Sequence, residues 1–188
     1  MKIQPETHFE QELWSGGVTL IAGVDEAGRG AWAGPVAAGA VILPIRPDLT
    51  ERLKGVRDSK QMTARQRERW AEEIRALALA WGVGFASAEE IDEVGILPAT
   101  RLAMRRAIEQ MAPAPQHLLV DAVRLPEIAL PQQALIKGDV RVLSIAAASV
   151  LAKTGRDAVM VELDRSYPGY SLARHKGYGT AIHRAAVE

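Results

Sequence analysis

Two adjacent acids, Asp25 and Glu26, stand directly before the turn Gly28-Arg29-Gly30. The run 18–24 ahead of them is short, rich in β-branched residues and bounded by glycines, the pattern of a buried strand. Two carboxylates at the end of a buried strand are costly unless a cation compensates them. The glycines just beyond let a backbone or a ligand come close, because no Cβ stands in the way. The pattern predicts a metal site beside a surface that meets a ligand edge-on.

Two further acids are placed to join it. Asp121 closes the hydrophobic run 117–121, and Asp139 follows Lys137-Gly138 in a loop. In an open sheet, ligand sites gather at strand ends, so acids ending separate strands can converge. Oxygen donors with no thiolate or histidine nearby favour magnesium or manganese over zinc. Each acid taken alone has a plainer reading, a solvated loop acid or a helix cap. The Asp25–Glu26 pair weighs against that. A dinucleotide-binding reading of the glycine turn fails: Gly34 comes one residue late, Pro35 follows it, and the two acids would repel a pyrophosphate.

The elements that must hold these residues are legible from periodicity. The run 34–43 reads as a second strand, stopped by Pro44 and Pro47 and joined to the first as an antiparallel meander. Thr63-Ala64-Arg65-Gln66 is a capping box, opening a helix with Trp70, Ile74, Leu77 and Trp81 on one face. A strand follows at 82–86, and Ser87-Ala88-Glu89-Glu90 is a second capping box. A helix past Gly95 and Pro98 carries Leu97, Met104, Ile108 and Met111. After the run ending at Asp121, residues 124–133 read as irregular, and 134–136 as a short strand. A long helix runs from near Ser144 to about Leu163, ended by Tyr167-Pro168-Gly169-Tyr170. Strands followed by alternating helices and strands indicate an α/β fold, a mixed sheet flanked by helices.

Composition sets outer bounds. The 188 residues are 48% hydrophobic and 24% charged, with a formal net charge of zero, which suits one domain with a real core. Any surface for a polyanion must therefore come from local segregation; from Lys137 onward basic residues outnumber acids, which predicts a basic face there. With no cysteine, disulfides, zinc–thiolate sites and thiol nucleophiles are excluded. The N-terminus shows no signal pattern and no apolar run is of membrane-spanning length, so a cytoplasmic protein is the expectation.

The ordered motifs Gly23-Val24-Asp25-Glu26-Ala27-Gly28-Arg29-Gly30, Asp58-Ser59-Lys60, Val120-Asp121, Lys137-Gly138-Asp139, Ala147-Ala148-Ser149-Val150-Leu151-Ala152-Lys153 and His175-Lys176-Gly177-Tyr178-Gly179-Thr180 resemble those of bacterial type 2 ribonuclease H (RNase HII). The resemblance runs from about Ala22 to His183. It implies a single RNase H-like catalytic domain over residues 1–188, with residues from about 144 forming the C-terminal helical part of a substrate groove. The activity it implies is cleavage of the RNA strand of RNA/DNA hybrids, and cleavage 5′ of single ribonucleotides embedded in duplex DNA. Products would carry a 5′-phosphate and a 3′-hydroxyl, and the role would be ribonucleotide removal from DNA by a monomer with no membrane partner.

Residue by residue, the resemblance puts the family's metal-site acids on Asp25, Glu26, Asp121 and Asp139, holding two divalent cations, Mg2+ or Mn2+, for in-line hydrolysis. Gly28, Arg29 and Gly30 would meet the ribose, whose 2′-hydroxyl distinguishes RNA from DNA. Tyr178 would pack on the sugar of the next nucleotide. Ser59, Lys60, Lys153 and Lys176, with Arg29, are candidates for phosphate contacts that position the substrate without reading sequence. Each lysine has the alternative reading of a solvated or snorkelling side chain. Asp157 is assigned to an ion pair or helix surface beside Arg156, and Trp32, Trp70 and Trp81 to packing. His175 and His183 are not required by the chemistry. Relatives of this family usually extend further, so an end at Glu188 is expected to leave catalysis intact and to lower substrate affinity. The rival readings are a junction resolvase acting on all-DNA branches, and a duplex-binding module without turnover.

Overall fold

A computed structural model describes residues 4–188; the N-terminal expectation rests partly on residues 1–3, which lie outside the described residues. The chain forms, in order, α1 (His8–Ser15), β1 (Ile21–Ala27), β2 (Val36–Ile42), α2 (Leu49–Arg52), α3 (Ala64–Leu77), β3 (Ala80–Ala86), α4 (Ala88–Val94), α5 (Ile96–Glu109), β4 (His117–Asp121), β5 (Gln132–Leu135), α6 (Leu143–Ser166), α7 (Leu172–His175) and α8 (Ala181–Val187). Single 3-10 turns cover Ser59–Gln61 and Gly138–Val140. No helix among the described residues is long and apolar enough to cross a membrane.

The strands form one mixed sheet in the order β3-β2-β1-β4-β5. The expected meander is present: β1 pairs antiparallel with β2, and β2 with β3. On the other side β1 pairs parallel with β4, and β4 with β5. The β1–β4 register sets Val24 opposite Val120, so the next residues, Asp25 and Asp121, sit side by side at the same end of the two central strands.

Strand alternation sorts the side chains onto two faces. Ala22, Val24, Ala38, Ala40, Leu118 and Val120 face α5, meeting Ala103, Met104 and Ala107. Ile21 and Leu119 face the other way, against Ile145 of α6. Glycines let α6 lie against the sheet: a Cβ on Gly23 would come within 2.2 Å of the Ser144 backbone, and one on Gly39 within 2.3 Å of the Ala148 carbonyl oxygen. With Ala146, Ala147 and Ala148 on the helix side, backbone meets backbone, and α6 carries its polar residues to the end of β1.

Several boundaries differ from expectation for identifiable reasons. β1 ends at Ala27, not Val24, so both acids lie inside a paired strand; β2 supplies partners as far as Ala37. Trp81 is on β3, not on the preceding helix, because Leu79 N–H already bonds to the Ile42 carbonyl and the chain has turned into the sheet. Leu97 is 41% exposed in the first turn of α5, while Met104 and Ile108 are buried and Met111 is buried just past the helix end. β5 begins at Gln132, where the Gln132 side chain both accepts from and donates to the Leu125 backbone. Both capping boxes are formed as read, at Thr63 and Ser87.

Candidate metal and nucleic-acid site

Asp25 lies on the α6 face of β1, 5% exposed, and one of its oxygens accepts the Glu26 N–H at 2.7 Å. The Ser149 hydroxyl of α6 approaches it, and the Ser59 hydroxyl shares a 2.9 Å hydrogen bond with Ser149. Burial, then the charges of Glu26 and Asp121, push the Asp25 pKa well up; hydrogen bonding from Ser149 and the Glu26 amide only partly offsets this. Asp121 Oδ1 accepts the Gly138 N–H at 2.7 Å. A Cβ on Gly138 would stand 2.6 Å from Ile145 Cδ1 and 3.3 Å from Asp121 Oδ1, so the glycine keeps this approach close without displacing either side chain. The same turn presents Asp139, whose pKa is raised by burial and by the Asp121 and Asp58 charges. Burial also raises Asp121.

Glu26 completes the group. Its Oε1 pairs with Arg29 Nη1 at 3.0 Å, while its Oε2 is buried with no partner. Burial raises its pKa even though Arg29 pulls the other way. Lys60 faces Asp25, Asp58, Asp139 and Glu26; burial pulls its pKa down, but those carboxylates outweigh burial and leave it raised. The four acids are thus mutually repelling and undercompensated by protein cations, the condition that a hard cation relieves.

The donor chemistry therefore fits divalent magnesium or manganese. Among the described residues no three His, Asp or Glu side chains stand ready as an ion cage. Glu26 Oε1 is engaged by Arg29 and Asp121 Oδ1 by the Gly138 amide.

Beside the acids is a hollow of about 200 Å³ lined by Glu26, Gly28, Arg29, Gly30, Lys60 and Tyr178, together with Ser59 and Lys153. Its two glycines differ. Gly28 has φ of +104°, and a Cβ there would lie 2.2 Å from Arg156 Nε, inside the protein and not toward a ligand as the sequence reading had it. Gly30 has open space where its Cβ would project. A larger hollow of about 430 Å³ near Phe85, Val159 and Leu163 lies beside the Glu90–Arg106 pair and holds none of the four acids. Size does not locate the chemistry here.

The remaining candidates fall into two groups. Tyr178 reaches the hollow with Lys153 Nζ 5.2 Å and Arg156 Cζ 5.5 Å from its ring centroid. Lys153 is held by Asp157 at 2.6 Å, and Asp157 also pairs with Arg67 at 2.9 Å. Asp157 is thus a structural ion-pair residue, with Arg67 and Lys153 as its partners. Ser59 is buried, hydrogen-bonded to Ser149, and lines the same hollow. Lys176 is not brought in: its ammonium turns back onto the Ala173 carbonyl, and it lines a different hollow with Arg67 and Asp157. Of the basic residues after Lys137, Arg156 is fully buried and Arg165 pairs with Glu162, so neither adds free charge to a surface.

Two residues the sequence did not single out carry much of the geometry. Ser149 lay within the motif 147–153 but was given no role of its own there. Arg156 donates to the carbonyls of Pro35 (2.7 Å), Lys176 (2.7 Å) and Ala33 (3.1 Å), so it ties the chain after the glycine turn to the segment carrying Tyr178. In the sequence Arg156 stands among Lys153, Thr154 and Asp157, with nothing local to mark it as buried.

A family model described as Ribonuclease HII matches residues 22–188. This chain belongs to the ribonuclease HII family. The ribonuclease HII of Anaeromyxobacter sp. (strain Fw109-5) is 56% identical over 182 residues, which cover 96% of this chain and 56% of that protein. That of Dehalococcoides mccartyi (strain ATCC BAA-2266 / KCTC 15142 / 195) is 50% identical over 183 residues, covering 95% and 84%. The chain thus spans little more than half the first relative and most of the second. The crystal structure of the ribonuclease H2 from Pyrococcus horikoshii OT3 is similar at a TM-score of 0.72 and 28% identity, covering 87% of this chain and 82% of that one. The enzyme class of the ribonuclease HII family is ribonuclease H, an endonuclease, on an RNase H-like α/β fold.

Proposed function

We propose that this chain is a divalent-metal-dependent endoribonuclease that cuts the RNA strand of RNA/DNA hybrids and cuts 5′ of single ribonucleotides embedded in duplex DNA. The observation that carries the reading is the juxtaposition of four undercompensated acids with an open-sided glycine turn and Tyr178. Residues 1–188 act as one catalytic domain, with the part from about 144 closing the substrate groove. The reading includes a monomer working in the cytoplasm on ribonucleotides left in DNA.

Asp25, Glu26, Asp121 and Asp139 would hold two divalent ions, magnesium or manganese, which when bound supply Lewis-acid activation of water and charge compensation at the leaving oxygen. Ser149 and the Glu26 amide fix the orientation of Asp25. Arg29 holds Glu26 until the carboxylate is needed, then is free to face a phosphate. The backbone of Gly28–Gly30 reads the 2′-hydroxyl as donor and acceptor, and the missing side chain at Gly30 leaves the ribose room. Tyr178 packs on the next sugar, where a 2′-hydroxyl would crowd it. Lys60 and Lys153 offset phosphate charge at the rim.

Water adds to phosphorus as the bond to the 3′-oxygen breaks; the proton lost by the water ends on the solvent side and the 3′-oxygen gains one. The products are a 5′-phosphate and a 3′-hydroxyl. No protein nucleophile is required, in keeping with a cysteine-free chain.

The test is cleavage of a DNA duplex containing one ribonucleotide, beside an all-DNA duplex and a branched DNA junction, with and without magnesium or manganese. Metal-dependent nicking 5′ of the ribonucleotide, with both controls intact, is the expected result. Cutting of the junction alone would favour a resolvase, and binding without any cut would favour a non-catalytic module.

A further inference from the structure

Trp32 is 56% exposed two residues beyond Gly30, and it is firmly held there. Its backbone N–H donates to the Gly177 carbonyl at 2.8 Å, and Ala33 N–H to the same oxygen at 3.3 Å. Gly179 lies against the indole so closely that a Cβ would come within 2.4 Å of the ring. The His183 ring sits 5.7 Å away, and the Arg184 guanidinium lies 5.8 Å from the indole centroid. A tryptophan used for packing hides most of its surface; this one is fixed along one side and left open on the other.

The position decides what the open side can meet. Tyr178 is flanked by the two glycines that hold Trp32, so one short segment presents Tyr178 to the acidic hollow and supports Trp32 outside it. A fixed exposed aromatic beside an arginine, next to the segment that carries Tyr178, offers a nucleic-acid strand an apolar face for a sugar and a cation for a phosphate. Arg184 stacks on the indole and not against a carboxylate among the described residues, so its charge is available.

We propose that Trp32 and Arg184 form a second contact subsite for the substrate duplex, on the strand beyond Tyr178, with the indole packing on a sugar and the guanidinium taking a backbone phosphate. This rests on the ribonuclease reading above. The subsite acts on substrate and transition state alike, so its loss raises KM and leaves kcat in place.

The experiment measures binding and turnover on duplexes containing one ribonucleotide, with the DNA arm on its 3′ side shortened stepwise, and binding also to all-DNA duplex in metal-free buffer. Trp32→Ala is expected to raise KM and Kd by roughly five- to fifty-fold on long arms and to change nothing on arms too short to reach. Trp32→Phe should recover part of the loss. Arg184→Gln should lower the slope of log Kd against log salt by about one. Unchanged Kd and KM at every arm length, or a fall in kcat with KM unchanged, overturns the proposal. Because Gly179 packs under the indole, Trp32→Ala could unseat the tail; if its melting temperature falls, Trp32→Phe and Arg184→Gln decide, since both keep the ring in place. If the wild type cuts no ribonucleotide duplex, the ribonuclease reading falls, while the metal-free Kd series still rules on the subsite.

Discussion

Two buried charge sites, at opposite ends of the same argument, divide the molecule's labour. At Arg156 a fully buried cation has three carbonyl acceptors and no need of anything else. At Asp25 a nearly buried anion has two weak donors and two further carboxylates pressing on it. Burying a charge is tolerable when its hydrogen bonds are complete and costly when they are not. The satisfied site is scaffold; the unsatisfied one is where an external cation has something to gain. What separates structural from functional burial here is completeness of compensation, not depth.

The contrast can be broken by exchanging what each site lacks. Asp25→Asn should lower cleavage by roughly three orders of magnitude or more, yet raise the metal-free melting temperature by about 2–4 °C. The sign follows from linkage: the folded pKa of Asp25 is raised, so its contribution to stability is full below the ordinary value of 3.8 and is lost as pH rises through the raised one. The asparagine variant should therefore also flatten the metal-free stability profile on that side. Melting curves of the metal-free protein across pH check both; a lower melting temperature at neutral pH would contradict the electrostatic account.

Arg156→Met should do the reverse, costing roughly 3 kcal/mol by stranding carbonyls and lowering the melting temperature by roughly 6–12 °C. Denaturant unfolding measures it, and a neutral result would mean water replaces the guanidinium. A finer cut lies within the glycine turn. Gly28→Ala is expected to resemble the Arg156 variant, because its Cβ meets Arg156 and φ is positive. Gly30→Ala should leave stability within about 0.5 kcal/mol while reducing the preference for ribonucleotide over deoxyribonucleotide. Equal effects of the two on unfolding would erase the distinction.

The smallest effect belongs to an ion pair outside both sites. Glu90 is lowered to about 2 by Arg106 and the Ser87 amide, so its contribution is present above the ordinary value of 4.5 and is lost as pH falls toward 2. Glu90→Gln should therefore lower stability slightly at pH above 4.5 and converge with the wild type as pH falls toward 2, with cleavage unchanged; melting curves across pH that stay apart in acid would contradict this.

Much of this was legible in the chain itself. The Asp25–Glu26 pair, Asp121 at a strand end and the two capping boxes depend on local pattern, and local pattern survives folding. What escaped notice depends on tertiary register. That Ser149 meets Asp25 follows from α6 lying on Gly23 and Gly39, and which cations Asp157 pairs with, Arg67 and Lys153, follows from how α3 and α6 pack. Strand ends were misplaced by three residues at β1 because β2 and β4 provide partners that periodicity does not show. Lys176 carried the right charge in the right motif, yet its side chain turned to the nearest carbonyl.

The central claim is that the four acids await a divalent ion, and thermal unfolding during manganese titration tests it most directly. An ion that binds only the folded protein stabilises it by about 2.7 kcal/mol at a hundred times its dissociation constant. The wild type should show that rising stability with manganese and Asp25→Asn should lose most of it. Equal stabilisation of both proteins, or none in the wild type, would contradict the account.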